Sequence, residues 1–72
     1  MTRPQKHSLT LKGHRTSVSL EPEFWQAFQD LAQARGLSVN QLAAEIDRAR
    51  DDQGLATAMR LAILRDLQAR LG

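Results

Sequence analysis

Arg15-Thr16-Ser17-Val18-Ser19-Leu20-Glu21-Pro22 alternates in polarity and then meets a proline. Thr16, Val18 and Leu20 form one row, and Arg15, Ser17 and Ser19 the other. Successive side chains of a strand point to opposite faces, so the first row suits a core and the second a polar surface. Pro22 presets φ for the first turn of a helix, where its missing N–H is not needed. The stretch therefore reads as a short strand that feeds a helix directly.

Toward the N-terminus, Leu9 and Leu11 alternate with Thr10 and Lys12, but on odd positions, whereas the second apolar set is on even ones. One strand cannot put both sets on one face. Gly13 stands between them, where a bulge or turn could reset the face. Neither Lys12-Gly13 nor Gly13-His14 is a favoured hairpin pair, so the reading favours a break over a private hairpin. Residues 1–7, polar and basic with Pro4, read as a flexible arm.

Toward the C-terminus, Glu21 and Glu23 place negative charge at the positive end of the first helix. Phe24, Phe28 and Leu31 follow helical spacing, with Trp25 and Ala32 widening the stripe. Gly36 reads as the left-handed residue after the helix and Leu37 as its hydrophobic follower. These signals predict a helix over residues 22–35. Ser38-Val39-Asn40-Gln41 has capping-box spacing, and Val39, Leu42, Ala43, Ile46 and Ala49 form an apolar face. A second helix is predicted over residues 39–50. After Asp51-Asp52-Gln53-Gly54, an acidic helix-ending loop, Leu55, Met59, Ala62, Ile63, Leu67 and Leu71 line a third helix. It is too apolar to stand free, and must pack on the first two helices or on a partner chain.

The chain has 72 residues and no cysteine. A domain of that size is marginal unless a disulfide, metal or partner staples it. Disulfides and thiolate metal sites are excluded, and His7 and His14 have poor metal-ligand spacing. No cofactor or metal is expected. Oligomerisation remains, and a lone strand needs a second one. A two-fold axis that pairs the strand with its copy meets both needs. The expected dimer core is Thr16, Val18, Leu20, Phe24, Trp25, Phe28, Leu42 and Ile46. The aromatic residues could stack on bases, but their helical spacing assigns them to that core.

The net charge is +2, and it is unevenly placed. Arg3, Lys6, Lys12 and Arg15 precede the first acid, Glu21, while residues 21–72 hold six arginines and eight acids. A basic N-terminal segment on a near-neutral body points to an anionic partner. No apolar run spans a bilayer and no secretory signal is visible, so no membrane partner is expected and the compartment reads as cytoplasmic.

The run from His14 to Trp25, with Gly36-Leu37-Ser38-Val39-Asn40, resembles the ribbon-helix-helix family of DNA-binding proteins. It looks most like a bacterial subgroup with an added C-terminal helix. The resemblance covers roughly residues 14–50. It implies a mainly α fold with one β-strand: an intertwined homodimer joined by an intermolecular two-stranded antiparallel ribbon, plus the third helix. The expected divisions are an arm at 1–7, the core at 8–51 and the C-terminal helix at 52–72.

The resemblance also implies that the ribbon enters the major groove of double-stranded DNA, with Arg15, Ser17 and Ser19 at base edges. It places a phosphate on the N-terminus of the second helix, at Ser38, Val39 and Asn40. The chemistry suits both roles. A β-ribbon fits the groove, a guanidinium can hold guanine O6 and N7 together, and helix N-termini bind phosphate. Lys6 and Lys12 would add salt-sensitive phosphate contacts. A transcriptional regulator is the leading expectation. The alternative is a protein-interaction module, an antitoxin or adaptor, using residues 55–71. No enzyme is expected, since no nucleophile–base pair or phosphate loop is present. Arg60, Arg65 and Arg70 read as a solvated face of the third helix, and His14 as a solvated strand-edge residue.

Overall fold

The computed structural model describes residues 2–72, so Met1 of the expected arm lies outside the described residues. Strands β1 (Gln5–Leu11) and β2 (His14–Leu20) precede helices α1 (Pro22–Ala34), α2 (Val39–Ala49) and α3 (Leu55–Leu71). The two strands pair antiparallel in one two-stranded sheet.

This corrects three expectations: there are two strands rather than one, Gly13 lies in a hairpin turn rather than a break, and Gln5 to His7 belong to the sheet rather than to an arm. The physical reason is parity. A two-residue turn at Lys12-Gly13 sets odd residues opposite even ones: His7 faces Val18, Leu9 faces Thr16 and Leu11 faces His14. The reversed alternation comes from two strands sharing one face. Both turn residues are left-handed, Lys12 at φ 52° and Gly13 at φ 80°, as a type I′ hairpin requires. Lysine is a poor occupant of that region, at about 1–2 kcal/mol, so the pair does not read as a turn. Burial of Leu9 and Leu11, 2% and 8% exposed, offsets it, since burying a leucine contributes about 1.5–3 kcal/mol.

The helix ends fall within a residue of expectation. Past α1, Leu37 N–H donates to Ala32 O and Gly36 N–H to Gln33 O, with Gly36 at φ 70°, which is the Schellman closure. The capping box of α2 is complete: Gln41 N–H donates to Ser38 Oγ at 3.0 Å and Ser38 N–H to Gln41 Oε1 at 2.8 Å. These adjoining caps reverse the chain within a few residues and fold α2 back toward the sheet.

One face of the hairpin packs on the helices. Leu9, Leu11, Val18 and Leu20 join Phe28, Leu31, Ala32, Leu42, Ala43, Met59 and Ile63 in a single core. Of the two options left open for α3, packing on the first two helices is observed, with Ala58, Met59 and Ile63 buried. Phe24, Trp25 and Ile46 are half-buried against the core, and Thr16 is also half-buried.

Candidate nucleic-acid interface

The hairpin's other face is fully exposed. Lys6, Ser8 and Thr10 of β1 alternate with the buried row, as do Arg15, Ser17 and Ser19 of β2. They meet in cross-strand pairs, Lys6 with Ser19, Ser8 with Ser17 and Thr10 with Arg15. The result is a hydroxyl-lined surface with a cation toward each end. Neither strand contains an aspartate or glutamate. Ser8 and Thr10 are absent from the sequence-based set. They could have been found by following the reversed alternation through a two-residue turn.

The nearest carboxylate along the chain is neutralised. Arg60 donates from Nε and Nη2 to Glu21 Oε1 at 3.1 and 2.8 Å, and its Nη2 also lies 3.4 Å from Ser19 O. The guanidinium sits 5.5 Å from the Phe24 ring centre. Arg60 is therefore a clamp between α3 and the β2–α1 junction, which corrects its reading as a solvated residue. Arg70 pairs instead with Asp66 on its own helix, at 3.0 Å.

The Arg60 hydrogen bond is the largest cause holding the Glu21 carboxyl below the usual carboxylate range, with help from the Glu21 backbone. The unfolded chain therefore binds a proton at Glu21 more readily than the folded one. Stability rises with pH between the lowered folded value and the ordinary value of 4.5, and the contribution is lost as pH falls through the folded value. Urea midpoints measured from about pH 3 to about pH 6 should climb less steeply for Glu21→Gln than for the wild type. Parallel curves would show that the clamp adds no acid sensitivity.

The two outer edges of the sheet differ. In a two-residue hairpin the residues flanking the turn bond each other, so alternate residues aim their backbone groups outward. On β1 the Thr10 N–H points outward and donates to Asn40 Oδ1 at 3.1 Å. That bond covers the β1 edge at Thr10 and sets the N-terminus of α2 beside it. On β2 the Ser19 carbonyl meets Arg60, while among the described residues no strand covers the backbone edge at Arg15 and Ser17.

The proposed phosphate-binding residues are thus partly committed elsewhere. The capping box takes the Ser38 and Gln41 N–H groups, and the Asn40 side-chain oxygen is used by Thr10. The backbone N–H groups of Val39 and Asn40 have no acceptor among the described residues. They are the backbone donors that the capping box leaves unused at this helix end. Lys12 projects from the turn and is exposed.

The remaining candidates lie elsewhere. His7 faces inward and stacks on Trp25, with ring centres 3.9 Å apart and planes 5° from parallel, and its Nε2 is buried with no hydrogen-bond partner among the described residues. His14 is exposed and lines an open cleft of about 330 Å3 with Leu11, Thr16, Ala44, Asp47 and Leu55. On α3, Leu64, Leu67 and Leu71 are 48%, 49% and 89% exposed. Among the described residues no cluster of three or more metal-ligating side chains occurs, and no helix is long and apolar enough to cross a membrane.

Searches of curated proteins and of solved structures found no match. A family profile described as a ribbon-helix-helix domain matches residues 4–67. The match starts before β1 and ends inside α3, so it takes in the hairpin and most of the third helix as well as residues 14–50. The chain belongs to the ribbon-helix-helix domain family, whose members are in general non-enzymatic, DNA-binding transcription regulators and antitoxins.

Proposed function

We propose that this protein is a dimeric DNA-binding regulator that lays the outward face of its hairpin into the major groove. The observation that carries the reading is that face: exposed Arg15, Ser17 and Ser19 beside Lys6, with no carboxylate on either strand and Glu21 held by Arg60. Arg15 supplies the directional base contact, through a bidentate grip on guanine. Ser17 and Ser19 discriminate weakly and let the backbone come close. Val39 and Asn40 N–H groups hold a phosphate at the positive end of α2, and Lys6 and Lys12 add salt-dependent attraction. DNA of that kind is reached in the cytoplasm of a bacterial cell.

The hairpin changes the argument for a dimer. β2 already has a partner strand within its own subunit, so a lone strand no longer forces association. What supports a dimer now is the uncovered edge of β2 at Arg15 and Ser17, together with the small core of the chain. Pairing β2 with its copy across a two-fold axis gives the strand order β1-β2-β2′-β1′. The cleft beside Thr16, lined by Leu11, Ala44 and Leu55, lies where the second copy would approach. The exposed leucines of α3 are what a protein-interaction role would use. Its inner residues, Ala58, Met59 and Ile63, are taken by the subunit's own core, so the DNA reading carries more.

Anisotropy titrations against duplexes selected by the wild type from a random pool test the reading. Arg15→Ala should weaken binding of the dimer by about 30-fold or more, matching the roughly 2–6 kcal/mol of two bidentate base contacts, one from each protomer. Preference should relax at one base pair of each half-site. Unchanged affinity and preference would remove Arg15 from the interface.

A further inference from the structure

We infer that β1 is a phosphate-gripping rim of the DNA face, with Ser8 and Thr10 as backbone-contact residues and Lys6 as their charged neighbour. The inference rests on the proposed pairing of β2 with its copy. Three observations support it. First, the outward rows of both strands share one exposed face, with Ser8 beside Ser17 and Thr10 beside Arg15. Second, Asn40 takes the outward Thr10 N–H of β1 at 3.1 Å, whereas on β2 only the Ser19 carbonyl, near the strand end, meets a side chain, at 3.4 Å, and Arg15 and Ser17 stay open; in the proposed pairing on the β2 edge, β1 is outermost. Third, the rows differ in chemistry. β2 carries Arg15, long enough to reach a base edge, while between Lys6 and Lys12 the outward row of β1 carries only short hydroxyls.

Width then assigns the roles. Neighbouring strands lie about 4.8 Å apart. The two central strands fit a major groove about 12 Å wide. The outer pair, three spacings apart, stand roughly 14 Å from each other and overlie the groove walls, where the phosphates run. Serine and threonine hydroxyls there donate to phosphate oxygens, which position a protein without reading sequence. The bond from Thr10 to Asn40 also places the free N–H groups of α2 at the end of this row. One stretch of DNA backbone can therefore run along β1 and end at α2.

The test compares the wild type with Ser8→Ala/Thr10→Val and with Lys6→Ala, on a selected 20-base-pair duplex and on a random-sequence duplex. Thr10→Val keeps the shape and strand preference of threonine, and a melting curve checks that each variant folds. The hydroxyl variant should bind both duplexes about tenfold more weakly, leaving their affinity ratio unchanged. Lys6→Ala should weaken both and lower the salt slope by about one per protomer. Thr10→Ser in the Ser8→Ala background should recover part of the loss, because it restores only a hydroxyl. Wild-type affinity in the hydroxyl variant, or a changed affinity ratio, overturns the rim assignment. If Arg15→Ala still alters the ratio in that case, the broader DNA-binding reading stands and only the role of β1 falls. A wild type that binds neither duplex overturns both.

Discussion

Phe28→Ala should leave the chain largely unfolded at room temperature. Phe28 is 0% exposed and sits where α1, the sheet and α2 share one core with Leu20 and Leu42. Its ring also stacks beside Trp25, 6.4 Å between centres. Truncating a buried phenylalanine costs about 3–5 kcal/mol, from lost transfer energy and the cavity left behind. A single core in a chain this short supplies roughly the same amount. The variant should show a shallow far-UV signal at low concentration and no cooperative urea transition. Leu71→Ala, at a site 89% exposed, should stay within about 0.5 kcal/mol of the wild type. A Phe28→Ala protein that unfolds cooperatively with a loss under about 1 kcal/mol would mean that the core collapses around the gap.

That sensitivity follows from a fold whose helices are written in local chemistry. Pro22, Gly36 and the Ser38-Gln41 box each act on backbone groups within a few residues, so α1 and α2 could be bounded without tertiary information. The length of α3 was legible from Leu55 through Leu71, but its docking was not. The Arg60–Glu21 pair joins residues 39 apart in sequence, and no spacing rule reaches that far. β1 was hidden for a different reason. Its apolar residues were visible, yet pairing depends on a turn, and the turn puts a lysine at φ 52°. Local preference opposes that geometry, and burial of Leu9 and Leu11 outweighs it. The inward and outward rows of β2 were readable because alternation alone defines them. The outward row of β1 became readable only once the register was known, and with it the hydroxyl surface that widens the candidate interface.

The register also sets up a sharp test of assembly, in which Ser17→Pro should separate folding from dimerisation. Ser17 is the middle residue of β2 and pairs with Ser8 in the hairpin. Alternation of the ladder aims its N–H away from β1, toward the uncovered edge. Proline there removes no bond from the hairpin and is tolerated on an edge strand. In a ribbon joining two copies the same change deletes one ladder bond per subunit and pushes a ring into the seam. At about 1 kcal/mol for each lost bond, plus the unpaired carbonyl opposite, dimer dissociation should rise by roughly 30- to 150-fold. The wild type should scatter light as a dimer at micromolar concentration, with a melting temperature that climbs with concentration. Ser17→Pro should stay folded but turn monomeric at concentrations roughly 30- to 150-fold higher than the wild type does, and DNA binding should fall with the dimer. Thr16→Pro is the counterpart, because the Thr16 N–H points into the ladder toward Leu9; it should damage the hairpin itself. A Ser17→Pro protein that dissociates over the same concentration range as the wild type would place the subunit contact somewhere other than the β2 edge. Equal damage from both prolines would mean that the two edges of β2 are not distinguished in the way the hairpin register requires.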